Sequence, residues 1–314
     1  MKSIKLAVLL LILLGCNNSN SQQTVIPKEE TIKLGLTKID SIIIHKSLKY
    51  KLPYSFKRVS RHNLFLTENE LINYDENNKE SSIPLNKLKK FNIVNFGSYQ
   101  QKNNNGYIFS SSNKIIVTDL SLNIVKMLSG SEFIQNSNEY IFTNQHEYDK
   151  DSALIKNHLK IYDCLNDYKS YDVTEKEAII CNNNKLELGV FDEEGSVSFI
   201  NLKNGVQTQK IILKNLPKDD VSCLFLIDDK ILIVTIDDKF FVNFNIFSKD
   251  GSIENQVKTR VNLKQVDSNI QDFSPSFIGA FTNLFSMEED SKKLFLALPL
   301  KNGSIKLFSF SFNQ

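Results

Sequence analysis

The segment YIFS at residues 107–110 recurs as YIFT at residues 140–143, and a polar turn and a second apolar segment follow each copy. Three segments of this second kind share an aspartate near their end: ELINYD at Asp75, IIVTDL at Asp119 and LKIYDC at Asp163. Successive aspartates are 44 residues apart in both intervals. A repeat at this spacing predicts one structural unit copied along the chain.

Weaker copies of the unit continue toward the C-terminus, as VSFINL around Asn201, FVNFNIF around Asn245 and IKLFSF around Ser309. Apolar and polar residues alternate within these segments, which is the period of a strand with one buried face. Gly and Asn in the connections tolerate the positive φ of hairpin turns. The last interval is longer by about 20 residues, so we expect an insertion between Lys258 and Ser291.

A period of about 40–50 residues with several strands per unit is typical of a β-propeller, an all-β ring of four-stranded blades. Ring closure buries both faces of each blade. Over about residues 30–314 the pattern resembles WD-repeat-like and other bacterial propellers, although the chain has no tryptophan and therefore no Trp-Asp dipeptide. We count six units. Seven blades of about 43 residues also fit the length, and a pair of β-sandwiches is a third alternative.

The ends of the repeat region predict how the ring closes. Residues 305–312 have a strand pattern and lie almost at the C-terminus, so the last blade lacks an outermost strand. The apolar segments 32–36 and 42–48 precede the first clear repeat, and we expect residues 42–48 to pair with residues 305–312. We also expect the three repeated aspartates to occupy equivalent positions, each ending the second strand of its blade and turning the chain into the outer hairpin.

The N-terminus has the pattern of a secretory signal, with Lys2 and Lys5 before an unbroken apolar segment at residues 6–14. About ten apolar residues rise only about 15 Å as a helix, roughly half the hydrocarbon thickness of a bilayer. The segment therefore predicts a cleaved signal at residues 1–15 rather than a permanent span.

The sequence Leu13-Leu14-Gly15-Cys16 at the end of this segment resembles the lipobox of bacterial lipoproteins. That resemblance implies cleavage after Gly15, a diacylglyceryl thioether on the Cys16 sulfur and usually a third acyl chain on the new amino group. Two or three acyl chains hold a protein on a membrane almost permanently. The alternative is an ordinary signal peptide followed by a chance cysteine.

Residues 16–30 are expected to form a lipidated flexible tether, because the segment NNSNSQQT at residues 17–24 has no charge and few apolar side chains to bury. Residues 31–314 then form the propeller domain. The residue directly after Cys16 is Asn17. An aspartate at this position would resemble the signal that retains lipoproteins in the inner membrane, so its absence favours the outer membrane. An acidic pair appears only at Glu29 and Glu30, which favours a periplasm-facing position over the cell surface.

Charge composition argues against a nucleic-acid partner. Removal of residues 1–15 takes away Lys2 and Lys5 and leaves equal numbers of basic and acidic side chains, so there is no long-range attraction to polyanions. Arginine, which supplies bidentate phosphate recognition, occurs only at Arg58, Arg61 and Arg260.

No residue pattern indicates a catalytic, metal or cofactor site. The four histidines share no ligand spacing: His45, His62, His146 and His158. The acidic groups are expected to face water at hairpin tips rather than converge on a calcium ion: Asp228-Asp229, Asp237-Asp238 and Glu288-Glu289-Asp290. The chain also lacks GxSxG, HExxH and phosphate-loop motifs.

Cys164, Cys181 and Cys223 remain after lipidation, which permits at most one intrachain disulfide. Cys164 and Cys181 could lie on neighbouring strands, but buried apolar thiols are the favoured interpretation. The aromatic segment at residues 273–281 is either the inner strand of the last blade, which we favour, or a loop that a partner contacts.

These observations favour a membrane-anchored binding or scaffold protein whose ring presents loop faces to another envelope protein, by fold-level analogy with the propeller lipoprotein of outer-membrane barrel assembly. The alternative is a propeller hydrolase, lactonase-like or a glycosidase, with carboxylates around the central channel. Metal content and the side chains that converge on the axis distinguish the two.

Overall fold

The computed structural model describes residues 35–44, 55–59, 61–93, 95–101, 104–111, 113–130, 132–136, 139–148, 154–174, 180–183, 187–192, 194–265, 284–288, 292–300 and 304–313. All of these described residues belong to one compact unit.

Strands in the described residues form six antiparallel four-stranded sheets, which are the six blades of a propeller. The first described strand belongs to the last blade. This strand is β1 (Gly35–Ile44). Blade 1 consists of β2 (Ser55–Val59), β3 (His62–Leu66), β4 (Glu70–Tyr74) and β5 (Glu80–Pro84), and blade 2 of β6 (Asn95–Gln101), β7 (Asn104–Ser110), β8 (Lys114–Asp119) and β9 (Ile124–Ser129). Blade 3 consists of β10 (Glu132–Asn136), β11 (Tyr140–Tyr148), β12 (Leu154–Asp163) and β13 (Lys169–Thr174).

The second half of the ring repeats this order, and β1 completes blade 6. Its strands are β14 (Ile180–Asn183), β15 (Glu187–Phe191), β16 (Ser196–Asn201), β17 (Gln207–Ile212) in blade 4; β18 (Asp220–Ile227), β19 (Lys230–Ile236), β20 (Phe241–Ser248), β21 (Ile253–Asn262) in blade 5; and β22 (Phe285–Glu288), β23 (Lys293–Pro299), β24 (Ile305–Asn313) in blade 6. Two short 3-10 helices, Lys89–Phe91 and Leu263–Gln265, lie in connections between blades. The all-β propeller prediction is confirmed with six blades, and the seven-blade and sandwich alternatives are wrong.

The core lies between the blades because each blade has two apolar faces. The first strands of successive blades contact one another from blade 6 through blade 1 to blade 5, so these inner strands lie around the axis. Five clusters of buried apolar side chains fill the spaces between blades. In one of them Phe244 of blade 5 packs edge-on against Phe310 of blade 6, with ring centroids 4.9 Å apart.

Blade 6 closes the ring by combining the two ends of the described chain. Its strand order is β22, β23, β24 and then β1, so the first described strand is the outermost strand of the last blade. Ile42 pairs with Leu307 and Ile44 with Ile305. The predicted closure is confirmed, although the donor strand starts earlier than expected, at Gly35, and residues 45–48 lie outside the described residues.

The three repeated aspartates occupy equivalent positions, as predicted, but at the end of the third strand of each blade rather than the second. Asp119 ends β8, and its carboxylate accepts backbone N–H bonds from Ser121 and Asn123 at 2.8 Å. Asp75 and Asp163 follow the same pattern in blades 1 and 3. A carboxylate suits this position because it satisfies turn donors that the ladder leaves unpaired.

The weaker repeats also lie on third strands, in β16, β20 and β24. Asn201 ends its strand and accepts from the backbone N–H of Lys203, whereas Asn245 lies within its strand and donates to Thr235. The expected insertion falls between β21 and β22, where residues 263–284 form the longest connection between successive blades.

Candidate functional site

Several of the residues singled out in the sequence lie outside the described residues: Cys16, His45, Glu289, Asp290 and the aromatic segment 273–281. The structure therefore leaves the lipid anchor as a prediction. The inner strand of the last blade is β22 (Phe285–Glu288), so the favoured interpretation of residues 273–281 as that strand is wrong. Within the described part of the chain, no helix is long and apolar enough to span a bilayer.

The histidines on described strands lie in two blades: His62 is in blade 1, and His146 and His158 are on the paired strands β11 and β12 of blade 3. His62 is exposed on β3 and its Nδ1 lies 3.0 Å from the Asn73 side-chain oxygen. His158 is buried on β12, and its Nε2 lies 3.2 Å from Asp172 Oδ1. Among the described residues, no group of three or more His, Cys, Asp or Glu side chains could hold a metal ion.

The acidic pairs lie at turns, where their carboxylates organise the local chain. Asp228 is at the turn between β18 and β19 and lies 2.6 Å from Lys292 Nζ. Asp237 is at the next turn and accepts backbone N–H bonds from Lys239 and Phe241. These carboxylates stabilise turns and pair with lysine, and they do not form a common site with one another.

Cys164 and Cys223 are thiols, one half-buried after β12 and the other buried in β18. Burial, with a smaller contribution from the charge of Asp163, raises the pKa of the Cys164 thiol to about 12. A thiol with so high a pKa is almost entirely protonated at neutral pH and is therefore a poor nucleophile. Cys181 lies in β14, where it pairs with Val190.

Two basic residues that the sequence analysis did not single out lie on the inner strand β2. Arg58 joins blade 1 to blade 6: its Nε lies 3.6 Å from Glu288 Oε1, and its guanidinium lies 5.0 Å from the Phe295 ring centroid. The backbone N–H of Arg58 also donates to Ser286 Oγ at 2.8 Å. This arrangement fastens the last blade to the first.

Lys57, the neighbour of Arg58, has the most perturbed basic group of the described residues. Burial lowers the pKa of Lys57 to about 8, and a small opposing contribution comes from Cys223. No carboxylate of the described residues forms an ion pair with it. A lysine of this pKa can act as a nucleophile or base, and the Cys223 thiol is the ionisable group that acts on it electrostatically.

Exposed apolar side chains are concentrated at two places on the rim of the ring. The first, which we call the blade 2 patch, consists of Leu120, Ile124, Val125 and Met127, each 40–54% exposed. The second, the blade 6 strip, consists of Ile39, Ile42 and Ile43, each 42–49% exposed. Both lie on the outermost strand of a blade or in the turn that leads into it.

Strand register explains how the blade 2 patch is formed. Met127 pairs with Ile116 and Ile124 with Thr118, so Ile124 and Met127 project from the same face of the sheet. A bulge at Val125 separates them and presents an additional apolar side chain. The side chain of Lys87 donates to the oxygens of Ser121 and Asn123 and so fixes the turn beside the patch.

Sequence analysis missed both sets because alternation does not distinguish an inner strand from an outer one. The signal that could have been used is in β9, whose sequence IVKMLS places apolar residues on both faces of the strand. An outermost strand has too few neighbours to bury both faces, so some of these side chains must be exposed. The apolar side chains of the blade 2 patch and the blade 6 strip are exposed because their strands lie at the rim of the ring.

Comparison with known proteins supplies no family assignment, since no family model and no curated protein matches the chain. Among solved structures, a structure described as KlHsv2 with loop 6CD replaced by a Gly-Ser linker is 12% identical, with a TM-score of 0.47 over 83% of this chain and 75% of that one. BamB from Moraxella catarrhalis is 9% identical, with a TM-score of 0.46 over 88% and 100%. BBS1N in complex with ARL6DN is 8% identical, with a TM-score of 0.44 over 82% and 77%.

Proposed function

We propose that this protein is a lipid-anchored scaffold of the cell envelope that binds a partner protein through the blade 2 patch. The supporting observation is the patch itself. Soluble monomers rarely leave contiguous apolar surface uncovered, and a cluster of this kind is typical of a protein interface. Ile124, Val125 and Met127 lie within four residues of one strand, so a partner can cover all three at once.

The proposed anchor rests on the lipobox at residues 13–16. With acyl chains on Cys16, the ring is held at the outer membrane, facing the periplasm. A scaffold in this position binds membrane-associated partners efficiently because the anchor confines both to one surface.

The anchor is tested with Cys16→Ser. We expect this variant to be released from membranes, or to keep residues 1–15, with the N-terminus identified by mass spectrometry. An unmodified N-terminal residue other than Cys16 in the wild type contradicts the anchor.

The binding surface is tested with a photo-crosslinking amino acid at Met127 in whole cells. Ile212 on the outer strand of blade 4 is the matched control, because it is 69% exposed but lies outside the patch. We expect a discrete crosslinked band at position 127, which Val125→Asp weakens, and no such band at position 212. Equal crosslinking at the two positions, or none at either, contradicts the proposed surface.

A further inference from the structure

The blade 6 strip lies on the strand that the anchor leads into. β1 begins at Gly35, and its side chains at Ile39, Ile42 and Ile43 are about half exposed. As a random coil, the chain between Cys16 and Gly35 would span about 24 Å root-mean-square. With the proposed lipid on Cys16, the start of β1 at Gly35 would then lie within about one strand length of the bilayer.

Isoleucines project from both faces of β1. Ile43 pairs with Lys306 and Ile39 with Phe310, so these two side chains share one face, whereas Ile42 pairs with Leu307 on the other face. β1 is the edge of its sheet. A flat surface that meets this edge can therefore contact isoleucines from both sides of the blade.

Charge and backbone chemistry indicate what kind of surface fits. Lys38, whose largely exposed side chain pairs with Asp40 at 2.9 Å, precedes the first isoleucine. Lys306 lies opposite Ile43 with its Nζ 4.7 Å from the Phe308 ring centroid. Apolar side chains bordered by lysines are suited to the boundary between headgroups and acyl chains. The outer backbone groups of an edge strand need hydration, so the contact is confined to the headgroup region.

We propose that the blade 6 strip rests on the lipid surface and so orients the ring, with Ile39, Ile42 and Ile43 entering the interface of the bilayer. This inference rests on the proposed anchor at Cys16. It assigns different surfaces different roles: the rim of blade 6 contacts lipid, and the rim of blade 2 remains available to a protein.

The test places a spin label at Ile43→Cys in the lipidated full-length chain, with a second label position at Ile39→Cys and a control at Ile212→Cys. Cys164→Ser and Cys181→Ser are included in every variant, while Cys223 is shielded by burial. The protein is reconstituted in vesicles of phosphatidylethanolamine and phosphatidylglycerol. Collision of each label with a water-soluble nickel chelate is compared with that in the lipid-free Cys16→Ser form.

We expect nickel accessibility at positions 43 and 39 to fall severalfold on the vesicles and to stay unchanged at position 212. Unchanged accessibility at 43 and 39 in a protein that floats with the vesicles overturns the inference and leaves the anchor intact. Failure to float overturns the anchor and the inference together. Shielding that appears in native membranes but not in pure lipid identifies a protein as the occupant of the strip and also overturns the inference.

Discussion

Ile42 lies opposite Leu307 in the seam that closes the ring, although the two residues are at opposite ends of the described chain. Leu307 is buried in the largest apolar cluster, whereas Ile42 is half exposed. Within this strand pair, β24 contributes Leu307 to the core, and β1 pairs with the edge of β24 that would otherwise be open. Without β1, β24 would have an open edge and the last blade would have three strands.

Truncation tests this closure. Deletion of residues 17–28 should leave the melting temperature nearly unchanged, because these residues belong to the predicted tether. Deletion of residues 17–48 removes all of β1 and should lower the melting temperature by many degrees or abolish folding, as measured by thermal unfolding followed by circular dichroism. Equal melting temperatures for the two truncations would rule out this closure.

The contact between Arg58 and Glu288 should contribute to stability because it joins blade 1 to blade 6 and both side chains are at most one-fifth exposed. Arg58→Ala leaves the Glu288 carboxylate without its guanidinium, and we expect a loss of about 1–3 kcal/mol in denaturant unfolding. Lys38→Ala is the control, since the ion pair between Lys38 and Asp40 is exposed and should contribute less than about 0.5 kcal/mol. Similar losses in both variants would contradict the role of Arg58.

Acid sensitivity should depend on Asp192. Desolvation raises the pKa of Asp192, but hydrogen bonds from Ser196 and Lys210 outweigh it and hold the pKa below its usual value of 3.8. A carboxyl whose pKa is lower in the folded state stabilises the protein above the unfolded pKa, and this contribution is lost as the pH falls through the folded pKa.

We therefore expect Asp192→Asn to be less stable than wild type at pH 6, with a difference that shrinks as the pH falls below about 4. Melting temperatures measured from pH 6 to pH 2.5 test this, with Asp167→Asn at an exposed turn as the control. A difference that stays constant or grows toward low pH would show that Asp192 contributes in another way.

Thiol reactivity should report on the packing of Cys164 and Cys223. In folded Cys16→Ser protein at pH 8, we expect both to react slowly with an aromatic disulfide reagent, because burial holds Cys164 protonated and shields Cys223. In denaturant, Cys164, Cys181 and Cys223 should all react rapidly. Rapid reaction of two or more thiols in the folded protein would contradict the described burial.

Much of the architecture could be predicted because a repeat constrains each copy in the same way. The interval between Asp75, Asp119 and Asp163 located three blades, and the apolar segment that includes Ile42 identified the closing strand. The position of the aspartates within the blade was predicted wrongly. A segment that alternates and ends in a turn has the same pattern whether it is the second strand or the third.

What the sequence by itself determined is the all-β repeat, its approximate period and the shared turn chemistry, since strand alternation and turn preference are local properties. The tertiary structure alone decided between the six blades counted in the sequence and the seven-blade alternative. It alone also decided that Arg58 meets Glu288 and that Lys57 is desolvated. It also decided that Ile43 and Met127 face outward while Phe244 and Phe310 are buried. The physical reason is that an apolar side chain is buried or exposed according to what the neighbouring blade places against it, and the ring widens toward the outer strands so that less packs there.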